Sequence, residues 1–515
     1  MNMGNARALI LSALGLALMA CQGGTDHGGT GMPSTPQRGM LLQTPPTLAA
    51  SYTPASILSA LSSNPLGQTL LQLSYSPVCS VSVYHLEYQT VDPAGNLTPA
   101  SAALMVPSGG TGCQGGRPIL LYGHGTATDR AYDIASLTAN DNGEGLILAA
   151  VFAAQGYIVV APNYVGYDTS TLAYHPFLDA DQQSKDMMDA LTAARSALPV
   201  AAASSTSDGG KLFVSGYSQG GYVAMATQRA LESSGSNVSA GVFMSGPYAL
   251  SAFADAVFEG EVNASAVPNF VMLLSSYQHA YGNVYASAAD IAASPYAANL
   301  ETLLPSSTPV GTLESNGSLP PALFDLTPPS AQFVSDTPAT SPASLAGVFA
   351  AGFGSNFLVL NSYRLSYLED ATAAPDGGFP TLGSGLPPAS PQNAFRQDLK
   401  ENDLRAFAPK APVFLCGGHD DPTVFFLNTQ LMQNEWSKSP PSGAFSVLDV
   451  DSTPASGDPY AVYELGFAAA AAAVRAAAIA GGATDGGTAA VLQKYHAELV
   501  APFCLAAAKA YFDTH

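Results

Sequence analysis

The chain has 515 residues, 47% of them hydrophobic, enough for a sizeable core and too many for a globally disordered protein. Only 11% are charged, and 38 acidic against 17 basic residues leave a net charge of −21. That balance speaks against nucleic acid as a partner and against electrostatic docking on anionic lipid, since both need a basic footprint.

Arg7 is the only charge before an apolar run from Ala8 to Met19, which is too short to span a bilayer. Leu18-Met19-Ala20-Cys21 follows it. Small or apolar residues directly before a cysteine resemble a bacterial lipobox, so residues 1–20 are expected to be a signal peptide and Cys21 the lipidated first residue. The alternative is an ordinary secretory signal with an incidental cysteine. Residues 21–50 are rich in Gly, Thr, Pro and Ser and are expected to form a flexible tether. If Cys21 carries lipid, Cys79, Cys113, Cys416 and Cys504 remain for two disulfides, with three connectivities open. Cys79 and Cys113 flank the first predicted hairpin. A bridge from Cys416 to Cys504 would tie two late segments together.

Val81 to Tyr88 and Ser101 to Val106 read as hairpin strands around the turn residues Asp92 to Asn96. Short apolar runs follow at Pro118–Tyr122, Tyr157–Ala161, Lys211–Gly216, Val238–Met244, Pro412–Cys416 and Phe445–Val450. Helices are predicted at Gly145–Gln155, Asp181–Leu198, Gln219–Ser233 and Thr423–Trp436. Continuous apolar strands alternating with helices imply an α/β fold whose mostly parallel sheet is covered on both faces. Between Met244 and Pro412 the rhythm stops for roughly 165 residues, too long a span to lack structure in a compact domain. It is predicted to be a largely helical cap at 247–397, lying over the core. Its aromatic and apolar groups, among them Phe270, Met272, Tyr277, Tyr281, Phe353 and Phe357, are expected to line a pocket for an uncharged apolar group. A second insertion, Ser452 to Gln493, contains an Ala-rich helix ending near Ala480; its apolar stretch Phe467 to Ala480 is short and contains Arg475, so no transmembrane helix is expected.

The central signal is Gly216-Tyr217-Ser218-Gln219-Gly220 between an apolar strand and a helix. Glycines there allow a strained turn that lifts a serine hydroxyl above the sheet. A nucleophilic serine needs a base, an orienting acid and oxyanion donors. His124-Gly125-Thr126 after the third predicted strand supplies the Thr126 amide as one donor, and Gln219 the other. His124 itself reads as support for that loop. At Gly418-His419-Asp420-Asp421-Pro422-Thr423-Val424 the spacing picks Asp421 as the acid, with Asp420 as competitor. Chain order then requires the base after residue 421. Only His496 and His515 qualify, and the terminal position of His515 favours His496 in a loop. The other histidines read as structural or solvated. No HExxH or Cys-x-x-Cys pair points to a metal.

These pieces, together with Ala161-Pro162-Asn163-Tyr164-Val165-Gly166-Tyr167, resemble the secretory lipase family of α/β-hydrolases and its exported bacterial relatives. The family carries Asp where this chain has Asn163. The resemblance implies α/β-hydrolase core segments at 51–246 and 398–515 around the cap. It also implies hydrolysis of uncharged acyl esters without a cofactor, with Ser218, His496 and Asp421 as the triad. A serine peptidase or acyltransferase of the same fold, or a non-catalytic surface-binding lipoprotein, are the alternatives. The expected partners are an ester or lipid substrate and, through the lipid anchor alone, a membrane. The expected location is outside the cell or on an outer membrane.

Overall fold

The predicted strands assemble into one sheet of nine: β1 (Thr47–Tyr52), β2 (Ser80–Val91), β3 (Leu97–Ser108), β4 (Gly115–Gly123), β5 (Ile158–Pro162), β6 (Thr206–Tyr217), β7 (Ala240–Met244), β8 (Val413–Gly417) and β9 (Phe445–Asp449). The spatial order is β1-β2-β3-β5-β4-β6-β7-β8-β9. The first three strands run antiparallel to their neighbours, and the remaining six are mutually parallel. This computed structural model describes residues 36–515 except 64, 74–75, 138–142, 202–204 and 382–384. The expected signal peptide, the lipidation site Cys21 and the first half of the expected tether lie outside the described residues.

The β2–β3 hairpin turns at Asp92, whose carboxylate accepts from the Asn96 amide at 2.8 Å. The parallel strands β5, β7 and β8 are buried along their length because helices cover both sheet faces, while the edge strand β9 is half-buried. Helices Ala180–Ala201 and Gln219–Ser233 pack on one face together with the cap. Helices Gly143–Val151 and Ala501–Asp513 pack on the other. The Cys79–Cys113 bond fastens the hairpin's outer end, and Cys416–Cys504 joins β8 to the last helix; both pairs are buried.

Several expected boundaries move. The tether does not run to residue 50: Gly39 and Leu42 donate to carbonyls of β2, and β1 pairs with β2 from Thr47. Helices Pro54–Ser62 and Pro65–Gln72 follow β1. These pieces escape notice because they are short and broken by Ser, Pro and Gly, so no periodic pattern builds up. The cap is less helical than expected. Helices Leu250–Phe258, Ala266–Tyr281 and Asn361–Ala373 frame a long stretch of short turns and two-residue strands. The expected cap boundary at 397 cuts a helix, Ala394–Glu401. Frequent Pro and Ser between 283 and 360 prevent longer helices there.

Buried ion pairs pin the cap. Arg396 is inaccessible and reaches Asp255 and Asp370, each at 2.7 Å. Arg405 reaches Asp376 at 2.7 Å and Asp403 at 2.9 Å. Arg364 is buried as well, donating to the carbonyls of Phe258 and Asp336. The helix Ala461–Ala480 is long and apolar enough to cross a membrane by length and composition alone. Its Phe467 is buried against Tyr495 and Phe503.

Candidate active site

The strand order reverses at β4 and β6, so the chain opens a crevice beyond their carboxyl ends. Ser218 sits there, between β6 and helix Gln219–Ser233, with φ 58° and ψ −126°. The amide of Ser218 donates to Met244 at 2.9 Å, which holds this strained residue against β7. The turn tolerates no side chain at its crossing point: a Cβ on Gly220 would lie 1.9 Å from the Gly123 carbonyl.

The structure brings Ser218, His496 and Asp421 together. Ser218 Oγ lies 2.8 Å from His496 Nε2, and His496 Nδ1 lies 2.7 Å from Asp421 Oδ2. Asp421 is buried, and its other oxygen accepts from the amides of Thr423 and Val424. The carboxylate is thus fixed by the backbone while one oxygen faces the imidazole. The helix predicted from Thr423 begins only at Leu427, because that turn around Asp421 occupies the intervening residues. Asp420 turns away and accepts from Ser344. His515 stays at the last helix, against the Tyr511 carbonyl.

His496 does not lie in a loop. It stands in a π-helical turn, Tyr495–Val500, that leads directly into the last helix. Wide turns of this kind recur at functional sites. The Tyr217 hydroxyl donates to the His496 carbonyl, and the two rings lie 5.0 Å apart. Tyr217, the variable residue before the serine, therefore helps to seat the histidine.

The backbone amides of Thr126 and Gln219 have no acceptor among the described residues, and both residues line the cavity above Ser218. His124 is buried between the rings of Tyr132 and Tyr164, and burial lowers its pKa to about 4. It supports the loop and does not reach Ser218. His175 is buried rather than solvated. Its Nδ1 donates to the Val165 carbonyl, which leaves Nε2 to accept from the Gln219 side chain at 2.7 Å. Burial lowers the His175 pKa to about 3. Asn163 donates to Ser101 and to Asp133 Oδ1 and accepts from the Ile134 amide. An aspartate at 163 would set a second acceptor against Asp133, so the amide suits this neighbourhood.

A cavity of about 800 Å³ opens over Ser218 and His496. Its walls are mainly apolar: Leu250, Phe253, Phe258, Phe270, Phe395 and Leu399. Of the six cap residues expected there, only Phe270 lines it. Met272, Tyr277 and Phe353 are buried elsewhere in the cap, Tyr281 is partly exposed, and Phe357 follows a short bridge to Ala322. The inward face of an irregular cap leaves no periodic trace in the sequence. Glu144 is a wall residue that no motif or spacing singles out. Its carboxyl accepts from the Tyr122 hydroxyl at 2.7 Å and from the Gly125 amide at 3.1 Å. Burial raises its pKa to about 7 against the effect of both hydrogen bonds. Among the described residues, two groups bring three potential metal ligands together, His85–Asp133–Asp168 and His419–Asp420–Asp451, and neither borders the cavity.

A model of the prolyl oligopeptidase family matches residues 147–258, the segment carrying the serine turn. The rice cell wall degrading esterase LipA from Xanthomonas oryzae is 27% identical, with 84% of this chain and 95% of that one covered and a TM-score of 0.62. A ligand-bound form of that esterase gives 28% identity over the same shares and the same TM-score. A Legionella pneumophila structure at 20% identity, covering 78% of this chain and 90% of that one with a TM-score of 0.58, shares the fold. No curated protein matches the chain.

Proposed function

We propose that this chain, an α/β-hydrolase of the lipase and esterase group, cleaves carboxylic esters through an acyl-enzyme on Ser218. The observation that carries the reading is the unbroken Ser218–His496–Asp421 relay at the floor of an apolar cavity. Asp421 holds the proton on Nδ1, so Nε2 is free to accept the Ser218 proton as Oγ attacks the ester carbonyl. The carbonyl oxygen becomes negative and turns to the amides of Thr126 and Gln219. Such donors are worth about 3–4 kcal/mol each, because they are aimed before the charge develops. His496 then returns the proton to the leaving alcohol, and a water repeats the sequence to release the acid.

The cavity favours an uncharged acyl chain. Arg364 and Arg396, the clearest cations of the cap, are consumed by buried partners and do not line it. Each methylene buried there adds up to ~0.8 kcal/mol, about fourfold in affinity. The esterase from Xanthomonas oryzae supports ester cleavage for this chain as well. The prolyl oligopeptidase match favours a second reading, a peptidase with the same relay.

A fluorophosphonate probe on wild type and Ser218→Ala tests the nucleophile, with p-nitrophenyl esters and peptide p-nitroanilides as competing substrates. Labelling that depends on Ser218, with ester turnover rising from acetate to octanoate, supports the proposal. Turnover by Ser218→Ala within tenfold of wild type would refute the triad, because loss of a true nucleophile costs roughly 10⁵ or more. Preference for the anilides would shift the reading to a peptidase. Labelling without turnover of either substrate would leave a binding protein.

The same proposal places the protein outside the cytoplasm, anchored by lipid on Cys21. Two buried disulfides and the secretory resemblance support export. Cys21→Ala should release the protein from a carbonate-washed membrane fraction, and retention there would reject the anchor.

A further inference from the structure

The loop that supplies the Thr126 amide is held from below by its carbonyls. The Tyr164 hydroxyl donates to the His124 carbonyl, the Tyr167 hydroxyl to Ala127, and the Ser306 amide to Thr128. Those anchors fix the loop's height; the peptide that carries the Thr126 amide is held at its other end, where the Gly125 carbonyl lies 2.6 Å from His124 Nδ1. A second contact acts from the side on the neighbouring His124–Gly125 peptide. The Gly125 amide donates to Glu144 Oε2 at 3.1 Å, while Tyr122 holds the other carboxyl oxygen at 2.7 Å. The loop passes beside the nucleophile there: a Cβ on Gly125 would lie in ordinary contact, 3.6 Å from Glu144 Oε2 and 3.8 Å from Ser218 Cβ.

We infer that Glu144 is a positioning residue of the oxyanion loop: by taking the Gly125 amide sideways while His124 holds the Gly125 carbonyl, it leaves the Thr126 amide aimed at the carbonyl oxygen of a substrate on Ser218. This rests on the ester-hydrolase reading above. Glu144 touches neither the serine nor the histidine; it acts through the loop. The carboxyl stands at the first turn of helix Gly143–Val151, so the helix that covers the sheet also sets the donor. An acceptor with two oxygens suits the task, since one is committed to Tyr122 and the other to Gly125.

The test measures the full-length protein, with Glu144→Leu and the shape-preserving Glu144→Gln beside wild type. Three readouts are needed: p-nitrophenyl butyrate kinetics, fluorophosphonate labelling of Ser218, and amide hydrogen exchange of peptides spanning residues 120–130. Removing one oxyanion donor costs about 10²–10³ in kcat, so loosening one should cost less. Glu144→Leu should lose about 10–100-fold in kcat with KM within about threefold, and its 120–130 peptides should exchange faster. Glu144→Gln, with one acceptor oxygen for two donors, should lose about 3–10-fold; it decides the matter if the leucine variant fails to fold. Unchanged kcat in the folded variants overturns the inference, whether or not exchange quickens, because a merely structural contact would loosen the loop without slowing chemistry. A matching rise in KM with constant kcat also overturns it. If wild type neither labels nor turns over ester, the ester-hydrolase reading itself fails and the role assigned to Glu144 falls with it. Normal wild-type labelling beside silent variants isolates failure of the inference alone.

Discussion

The Cys416–Cys504 bond joins the strand that ends four residues before Asp421 to the helix that begins after His496, so its removal should cost more stability than removal of the bond at the hairpin. It closes a loop of 88 residues. In the chain-entropy account such a cross-link removes about 15 cal/mol/K from the unfolded chain, or about 4.6 kcal/mol at 25 °C. The same formula gives about 3.8 kcal/mol for the 34-residue Cys79–Cys113 loop. Both pairs are buried, so alanine replacement adds a small packing loss of similar size in each case. A chain this long unfolds with about 1 kcal/mol/K of entropy, so Cys416→Ala/Cys504→Ala should lower the Tm by about 5 °C. Cys79→Ala/Cys113→Ala should lower it by about 4 °C. Below the transition, kcat should stay within about threefold, because Asp421 is held by its own backbone turn and His496 by Tyr217. The assay is differential scanning calorimetry of both double variants in non-reducing buffer, with ester turnover at 25 °C. A Cys416/Cys504 variant melting within 1 °C of wild type would refute the reasoning. So would a larger drop from the shorter loop.

Three further outcomes follow from the packing. Gly220→Ala should give little soluble protein, since its Cβ would stand 1.9 Å from the Gly123 carbonyl; a normal yield with wild-type activity would contradict that geometry. Arg396→Met strips Asp255 and Asp370 of their buried partner, a change that costs about 3–5 kcal/mol, so the Tm should fall by about 3–5 °C, and a shift under 1 °C would show that the pairs do not hold the cap. His175 stays neutral in the folded protein to about pH 3, whereas the unfolded chain takes up the proton near 6.5, so its contribution is present above that range and is lost on acidification; His175→Gln should therefore flatten the fall of Tm between pH 6.5 and 4, and an unchanged slope would refute the assignment.

What was legible in the sequence is what local chemistry dictates. Gly216 to Gly220 can form only a strained turn between strand and helix, and the sequence order of serine, acid and histidine then narrowed the partners to Asp421 and His496. Local spacing favours Asp421 over Asp420, and the backbone turn through Thr423 and Val424 that holds the Asp421 carboxylate exists only once the strand end is built. Glu144 stood in an apolar helix with nothing nearby in sequence to suggest a role, because Tyr122 and Gly125 come to it through the sheet. β1 was invisible for a similar reason, since its pattern is exposed on both sides and its structure is borrowed from β2. The cap defeated a face-by-face reading because only regular elements advertise which side points inward.

The position of the cap between β7 and β8 also orders events on the ribosome. Val413–Cys416 pairs with Gly241–Met244, yet the whole cap must be made between them. At about 5–20 residues per second this takes on the order of 10–30 s, during which β7 is an open edge of the type that recruits stray strands. The nascent sheet already holds the turned serine, but neither its acid nor its histidine has been synthesised. The polypeptide thus passes through a stage that is foldable in part and sticky at one edge, before the proposed triad can be assembled.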